Sequence, residues 1–149
     1  MILFDMSQVI LGNLFGYTRD ISQVDEDAIR HLTLNSLRIY KNKFKNYGEM
    51  VLVFDSGDYW RKENFPHYKG VRKAKQESKK EEWSKIWSIV RTIYAELEET
   101  FPYKVMKVGR AEADDVISHL AKKFHATEKI MIVSSDKDFI QLVRENIIV

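Results

Sequence analysis

Four short, mostly apolar runs punctuate this chain, and each hands over to acidic residues. Met1–Phe4 ends at Asp5, and MVLVF (50–54) ends at Asp55. YKVMKV (103–108) is followed by Glu112, Asp114 and Asp115, and KIMIV (129–133) runs through two serines into Asp136 and Asp138. Short runs without polar alternation fit strands buried on both faces, as in a parallel sheet covered by helices. Between them the spacing is helical. Ser22 and Asp25 read as an N-cap and its capping-box partner. From there Ile29, Leu32, Leu34, Leu37, Ile39, Tyr40 and Phe44 form an apolar stripe to about Asn46, and Gly48 breaks it. Residues 56–73 mix Gly, Pro and aromatics without a period and read as a loop. A second helix is expected from about Ala74 to Thr100, apolar only from Trp83 onward and stopped before Pro102. A third covers 112–124, with Val116, Ile117, Leu120 and Phe124 on one face. A short helix at 138–144 and a fifth strand from Asn146 complete the pattern. Strand alternating with helix predicts an α/β fold, a mainly parallel central sheet with helices on both faces.

Composition bounds the rest. The 149 residues are 44% hydrophobic and 31% charged, enough apolar material for one real core and too much for a disordered chain. No apolar run approaches the roughly 20 residues of a membrane span, so no membrane partner is expected. The amino terminus lacks the basic start of a signal peptide. Without cysteine, disulfides, thiolate zinc sites and thiol nucleophiles are excluded. An intracellular, cytoplasmic setting is the expectation. The net charge of +2 hides an uneven distribution. Arg61, Lys62, Lys69, Arg72, Lys73, Lys75, Lys79, Lys80 and Lys85 make one segment basic, while the acids gather at the ends of the apolar runs.

In a parallel sheet, ligands bind beyond the carboxyl ends of the strands. Every complete strand expected here delivers carboxylate to that one edge. Taken singly, Asp5 and Asp55 suit turns, Asp136 an N-cap, and Asp114 and Asp115 the first turn of a helix. Together, seven acids converging on one crevice would repel one another unless cations neutralise them. With only oxygen donors, the expected cofactor is a hard cation such as Mg²⁺ or Mn²⁺. Such ions beside basic residues interleaved with Tyr59, Trp60, Phe65 and Tyr68 suit phosphodiester chemistry on nucleic acid.

These segments resemble the structure-specific 5′ nucleases, the flap endonucleases and 5′→3′ exonucleases with a PIN-like core. Within that family they are similar to the ribonuclease H enzymes of T-even-like bacteriophages. The resemblance rests on LFDMSQ, VLVFDSGDYWRKENFPHYKGVRKAK, GRAEADDVISHL and SSDKDFIQL, which follow one another in family order over nearly the whole chain. It implies that Asp5, Asp55, Glu112 and Asp114 hold a first metal ion, that Asp136 and Asp138 reach toward a second, and that Asp115 supports the site. It implies that Lys69 and Arg72 contact the scissile phosphate, that Tyr68 stacks on a terminal base, and that Arg61, Lys73 and Lys75 contact nucleic acid. Residues of about 73–87 correspond to a helical arch for a single-stranded 5′ flap.

The implied activity is a Mg²⁺-dependent 5′ nuclease removing RNA primers and flaps during phage DNA replication, in the cytoplasm of an infected host. Implied partners are DNA or an RNA–DNA hybrid with a 5′ end or flap, and replication proteins. The family's later Gly-Asp-x-x-Asp-Asn motif and its helix–three-turn–helix duplex grip have no counterpart in these residues. An N-terminal catalytic domain, completed by a C-terminal polypeptide, is therefore expected. A nucleic-acid-binding or assembly module without independent catalysis, and a PIN-like ribonuclease, are the competing expectations.

Overall fold

The computed structural model describes residues 1–65 and 67–149, with the side chains of Lys73 and Lys75 outside that description. Five strands form one sheet: β1 (Ile2–Asp5), β2 (Met50–Phe54), β3 (Lys104–Lys107), β4 (Ile130–Val133) and β5 (Ile147–Ile148). Their order is β3-β2-β1-β4-β5, and every neighbouring pair is parallel. All the strands therefore point their carboxyl ends to one edge, as the acidic run-ends require.

Both faces of the sheet are covered, which is why the strands are apolar throughout. Alternate strand residues point to opposite faces. Ile2, Phe4, Met50, Leu52, Phe54, Met131 and Val133 pack on one side against α1 (Met6–Tyr17), α2 (Glu26–Lys43) and α5 (Lys80–Thr100). Leu3, Val51, Val53, Ile130 and Ile132 pack on the other against α6 (Ala113–Phe124), with Phe139 and Leu142 of a 3₁₀ segment (Lys137–Leu142). β3 closes one edge with Lys104 and Lys107 exposed, charges that discourage further strand pairing there.

The helices depart from the sequence expectation in four places. Residues 6–17, left unassigned by periodicity, form α1: Met6, Val9, Ile10, Leu11, Leu14 and Phe15 spread around its circumference instead of forming one stripe. Ser22 caps no helix. It gives its N–H and hydroxyl to Asp20 Oδ1 (3.0 and 2.7 Å), and Asp25 caps α2 by accepting from the Asp27 N–H. The expected loop at 56–73 contains α3 (Trp60–Asn64) and the start of α4 (Gly70–Glu77). The expected single helix from Ala74 to Thr100 is two, α4 and α5, separated at Ser78 and Lys79. The lower half of the expected arch is anchored: Trp83 meets Phe15 and Trp87 edge-on or tilted, and Lys85 Nζ donates to the Ile21 and Ser22 carbonyls. Among the described residues, no helix is long and apolar enough to cross a membrane.

Leu52 lies on the central strand pair and is fully buried. Leu52→Ala leaves a cavity between β2 and the α5 layer, and is expected to destabilise the fold by about 2–5 kcal/mol in denaturant unfolding. A loss under about 1 kcal/mol would contradict that packing.

Candidate metal and nucleic-acid site

Each strand end carries its acid into the crevice by a short, capped junction. Asp5 is both the last residue of β1 and the N-cap of α1, so no loop intervenes. Its carboxylate is 3% exposed and accepts from the Gln8 N–H (3.2 Å) and the Ser134 hydroxyl (3.0 Å). Asp55, just beyond β2, accepts from the N–H of Ala113 at the start of α6 (2.8 Å). Glu112 is the N-cap of α6 and forms a capping box with Asp115. Asp114 sits in the first turn. Asp136 caps the 3₁₀ segment after β4 and accepts from the Asp138 N–H (2.9 Å). The capping and first-turn readings of these acids are thus correct locally. They coexist with convergence, because the same caps aim the side chains at the common edge.

The electrostatics record the crowding. Burial pushes the Asp5 carboxyl up to about 7; its two hydrogen bonds oppose this, and Asp55 and Asp114 add to it. Burial pushes Asp114 up to about 6, helped by Asp136 and Asp55. Both carboxyls therefore favour their neutral forms more than an exposed carboxylate does.

Facing it is the basic segment. Arg61 on α3 forks onto Asp115 through both terminal nitrogens (2.6 Å each) and reaches Glu112 (3.0 Å), with its guanidinium 4.7 Å from the Trp60 ring centre. The Arg61 contact holds Asp115 below the usual carboxylate range. Lys69 Nζ meets Glu112 Oε1 at 2.5 Å and Tyr68 donates to Oε2 at 2.8 Å. Burial works against the Lys69 charge, and the Glu112 carboxylate overcomes it, raising the ammonium above its ordinary value. Burial also lifts the Tyr59 phenol to about 12, with Asp55 and Glu112 contributing. Arg72 is exposed on α4, close enough to bear electrostatically on Tyr59 and Lys69.

Arg61, expected to contact nucleic acid, pairs in this structure with Asp115 and Glu112. Glu112 is likewise held by three partners rather than left open. Lys73 and Lys75, expected to contact nucleic acid, lie outside the described residues. Ser118, four residues from Asp114 and so on the same helix face, lines with Gln141 a cleft of about 240 Å³ that also takes in Tyr68, Glu112, Asp114 and Asp138. Helical spacing from Asp114 could have found Ser118; nothing in the sequence singles out Gln141.

The donor chemistry fits a hard divalent cation: carboxylates only, in excess, with raised affinity for protons where they crowd. The geometry is open. Among the described residues, no group of three carboxylates or histidines is gathered closely enough to form a metal cluster. Glu112 is turned toward Lys69, Arg61 and Tyr68.

A parallel sheet covered by helices, with acids at its carboxyl edge and a basic helical segment beside them, defines the α/β class. The chain belongs to one family of that class: residues 1–149 match the 5′-3′ exonuclease, N-terminal resolvase-like domain. It is 35% identical over 145 residues to the ribonuclease H of Enterobacteria phage T4, an alignment covering 94% of this chain and 48% of that protein. It is 33% identical over 116 residues to a 5′-3′ exonuclease of Buchnera aphidicola from Schizaphis graminum, covering 76% of this chain and 38% of that one. The chain thus spans about half the length of the first relative and under two-fifths of the second. Its fold matches that of the phage T5 5′-exonuclease with bound zinc, with a TM-score of 0.80 at 14% identity over 99% of this chain and 53% of that one. It also matches the phage T5 flap endonuclease in a complex with DNA and metal ions, with a TM-score of 0.77 at 16% identity over 98% of this chain and 52% of that one.

The raised Asp5 value has a testable sign. Between about pH 4 and pH 7 the folded protein keeps a proton that the unfolded chain releases. Stability from this group is therefore full below about pH 4 and lost as pH rises toward 7. In chelator, the melting temperature of Asp5→Asn minus that of the wild type is expected to grow by several degrees from pH 4 to pH 8. A difference independent of pH would show that Asp5 ionises normally.

Proposed function

We propose that this chain is the catalytic N-terminal domain of a divalent-metal-dependent 5′ nuclease. The observation that carries the reading is the delivery of carboxylates from four consecutive strand ends to one crevice edge, opposite Arg61, Tyr68, Lys69 and Arg72. Asp5, Asp55, Glu112, Asp114, Asp136 and Asp138 would hold the cations, Mg²⁺ or Mn²⁺. Bound there, the cations would supply activation of the attacking water and relief of charge on the leaving oxygen.

The chain's own residues do the rest. Lys69 and Arg72 bind the scissile phosphate and offset its growing negative charge. Tyr68 offers a ring to an unpaired base. Asp115, held by Arg61 and by the Glu112 N–H, fixes the start of α6 and so the aim of Glu112 and Asp114. Lys69 must leave Glu112 to reach a phosphate. Its backbone at the start of α4 is left-handed (φ 55°, ψ 26°), a conformation a lysine holds only at some cost. The substrate is a 5′ end on a flap, a nicked duplex or an RNA–DNA hybrid. The task is primer and flap removal in phage DNA replication, within the infected cell. The phage T4 relative supports that setting. A further polypeptide, for which the relatives' greater length leaves room, would grip the duplex and complete the cation ligands.

One observation favours a second reading, a nucleic-acid-binding module without turnover of its own: no three carboxylates gather among the described residues. One experiment addresses both. With a 5′-flap substrate, Mg²⁺ and the remaining polypeptide supplied, Asp55→Asn and Asp136→Asn are each expected to lower the cleavage rate by at least about a thousandfold, some 4 kcal/mol of barrier. Wild-type rates in both variants would sink the nuclease assignment. Binding of the flap by the wild type without any turnover would favour the module.

A further inference from the structure

We infer that Ser134 is a positioning residue, one that locks the Asp5 carboxylate and the Asp136 loop into a single register across the β1–β4 seam. The inference rests on Asp5 and Asp136 being cation ligands, as proposed above. The pairing runs Ile2 with Met131, Leu3 with Ile132 and Phe4 with Val133, so the next rung sets Ser134 opposite Asp5. The Ser134 hydroxyl has one proton, which it donates to Asp5 Oδ2 at 3.0 Å. Its lone pair accepts the Asp136 N–H at 3.1 Å. The other Asp5 oxygen takes the Gln8 N–H. Both oxygens of a nearly buried carboxylate are thereby fixed in direction, each with a lone pair to spare for a cation.

A second link crosses the same seam without touching any carboxylate. Ser135 donates to Gln8 Oε1 at 3.0 Å. It serves as a control: Ser135 ties the two loops together, whereas only Ser134 reaches an acid. Groups behind the ligands that orient them are worth about 10–100-fold in metal affinity.

The test is Mn²⁺ binding to the whole chain, followed by the paramagnetic resonance of free Mn²⁺, with each variant's melting curve in parallel. Ser134→Ala is expected to weaken binding about tenfold, and Ser134→Thr and Ser135→Ala to change it less than about twofold. Asp5→Asn is expected to weaken it at least as much as Ser134→Ala. Unchanged binding in Ser134→Ala, with a loss in Asp5→Asn, overturns the inference alone. An equal loss in Ser135→Ala overturns it too, since loop tethering would then suffice. So does a Ser134→Ala chain unfolded at the assay temperature, because the hydroxyl would then hold the fold and not the carboxylate. If Asp5→Asn binds Mn²⁺ like the wild type, the ligand reading fails and the inference falls with it.

Discussion

Crowding of like charge at one edge of a parallel sheet is the constraint on which this structure turns. Parallel strands share a direction, so any acid placed at a strand end lands beside the others. Burial first, and the charge of neighbouring acids after it, keeps the Asp5 and Asp114 carboxyls protonated well above the usual carboxylate range. Acids that share one edge in this way call for compensation. Part of it is built in, through Arg61 on Asp115 and Lys69 on Glu112. The remainder is what divalent cations and a phosphate backbone would have to share between them.

The same cations serve two masters. Lys69 and Arg61 neutralise carboxylates from the segment that also carries Tyr68 and Arg72, the groups proposed to face a phosphate or base. Opposite charges at close range in a partly buried site hold firmly, so α3, the turn after it and the start of α4 are tied to the mouth of α6. Competition between a metal ion and Lys69 for Glu112 would link the loading of the crevice to the posture of that segment. The sheet provides the rigid side of this arrangement, and the short helices the adaptable one.

The strands were legible because burial on both faces leaves no room for polar alternation, and MVLVF or KIMIV reads as nothing else. The carboxylates were legible because each closes such a run. α1 was hidden: its apolar residues surround the helix and show no stripe. α3 and the first turn of α4 were hidden because segments so short give periodicity too little length. The partners of Arg61 were hidden as well. Asp115 lies 54 positions away, and only the closing of α3 onto α6 joins them. Ser134 looked like spacer between strand and acid, and its role depends on the β1–β4 register.

The most direct test of the account is the anomalous diffraction of crystals grown with Mn²⁺. The account predicts strong Mn²⁺ peaks within coordination distance of crevice carboxylates, with Asp5 and Asp114 among the ligands. Mn²⁺ bound only outside the crevice, with Glu112 still clasped by Lys69 and Arg61 at saturating metal, would contradict it.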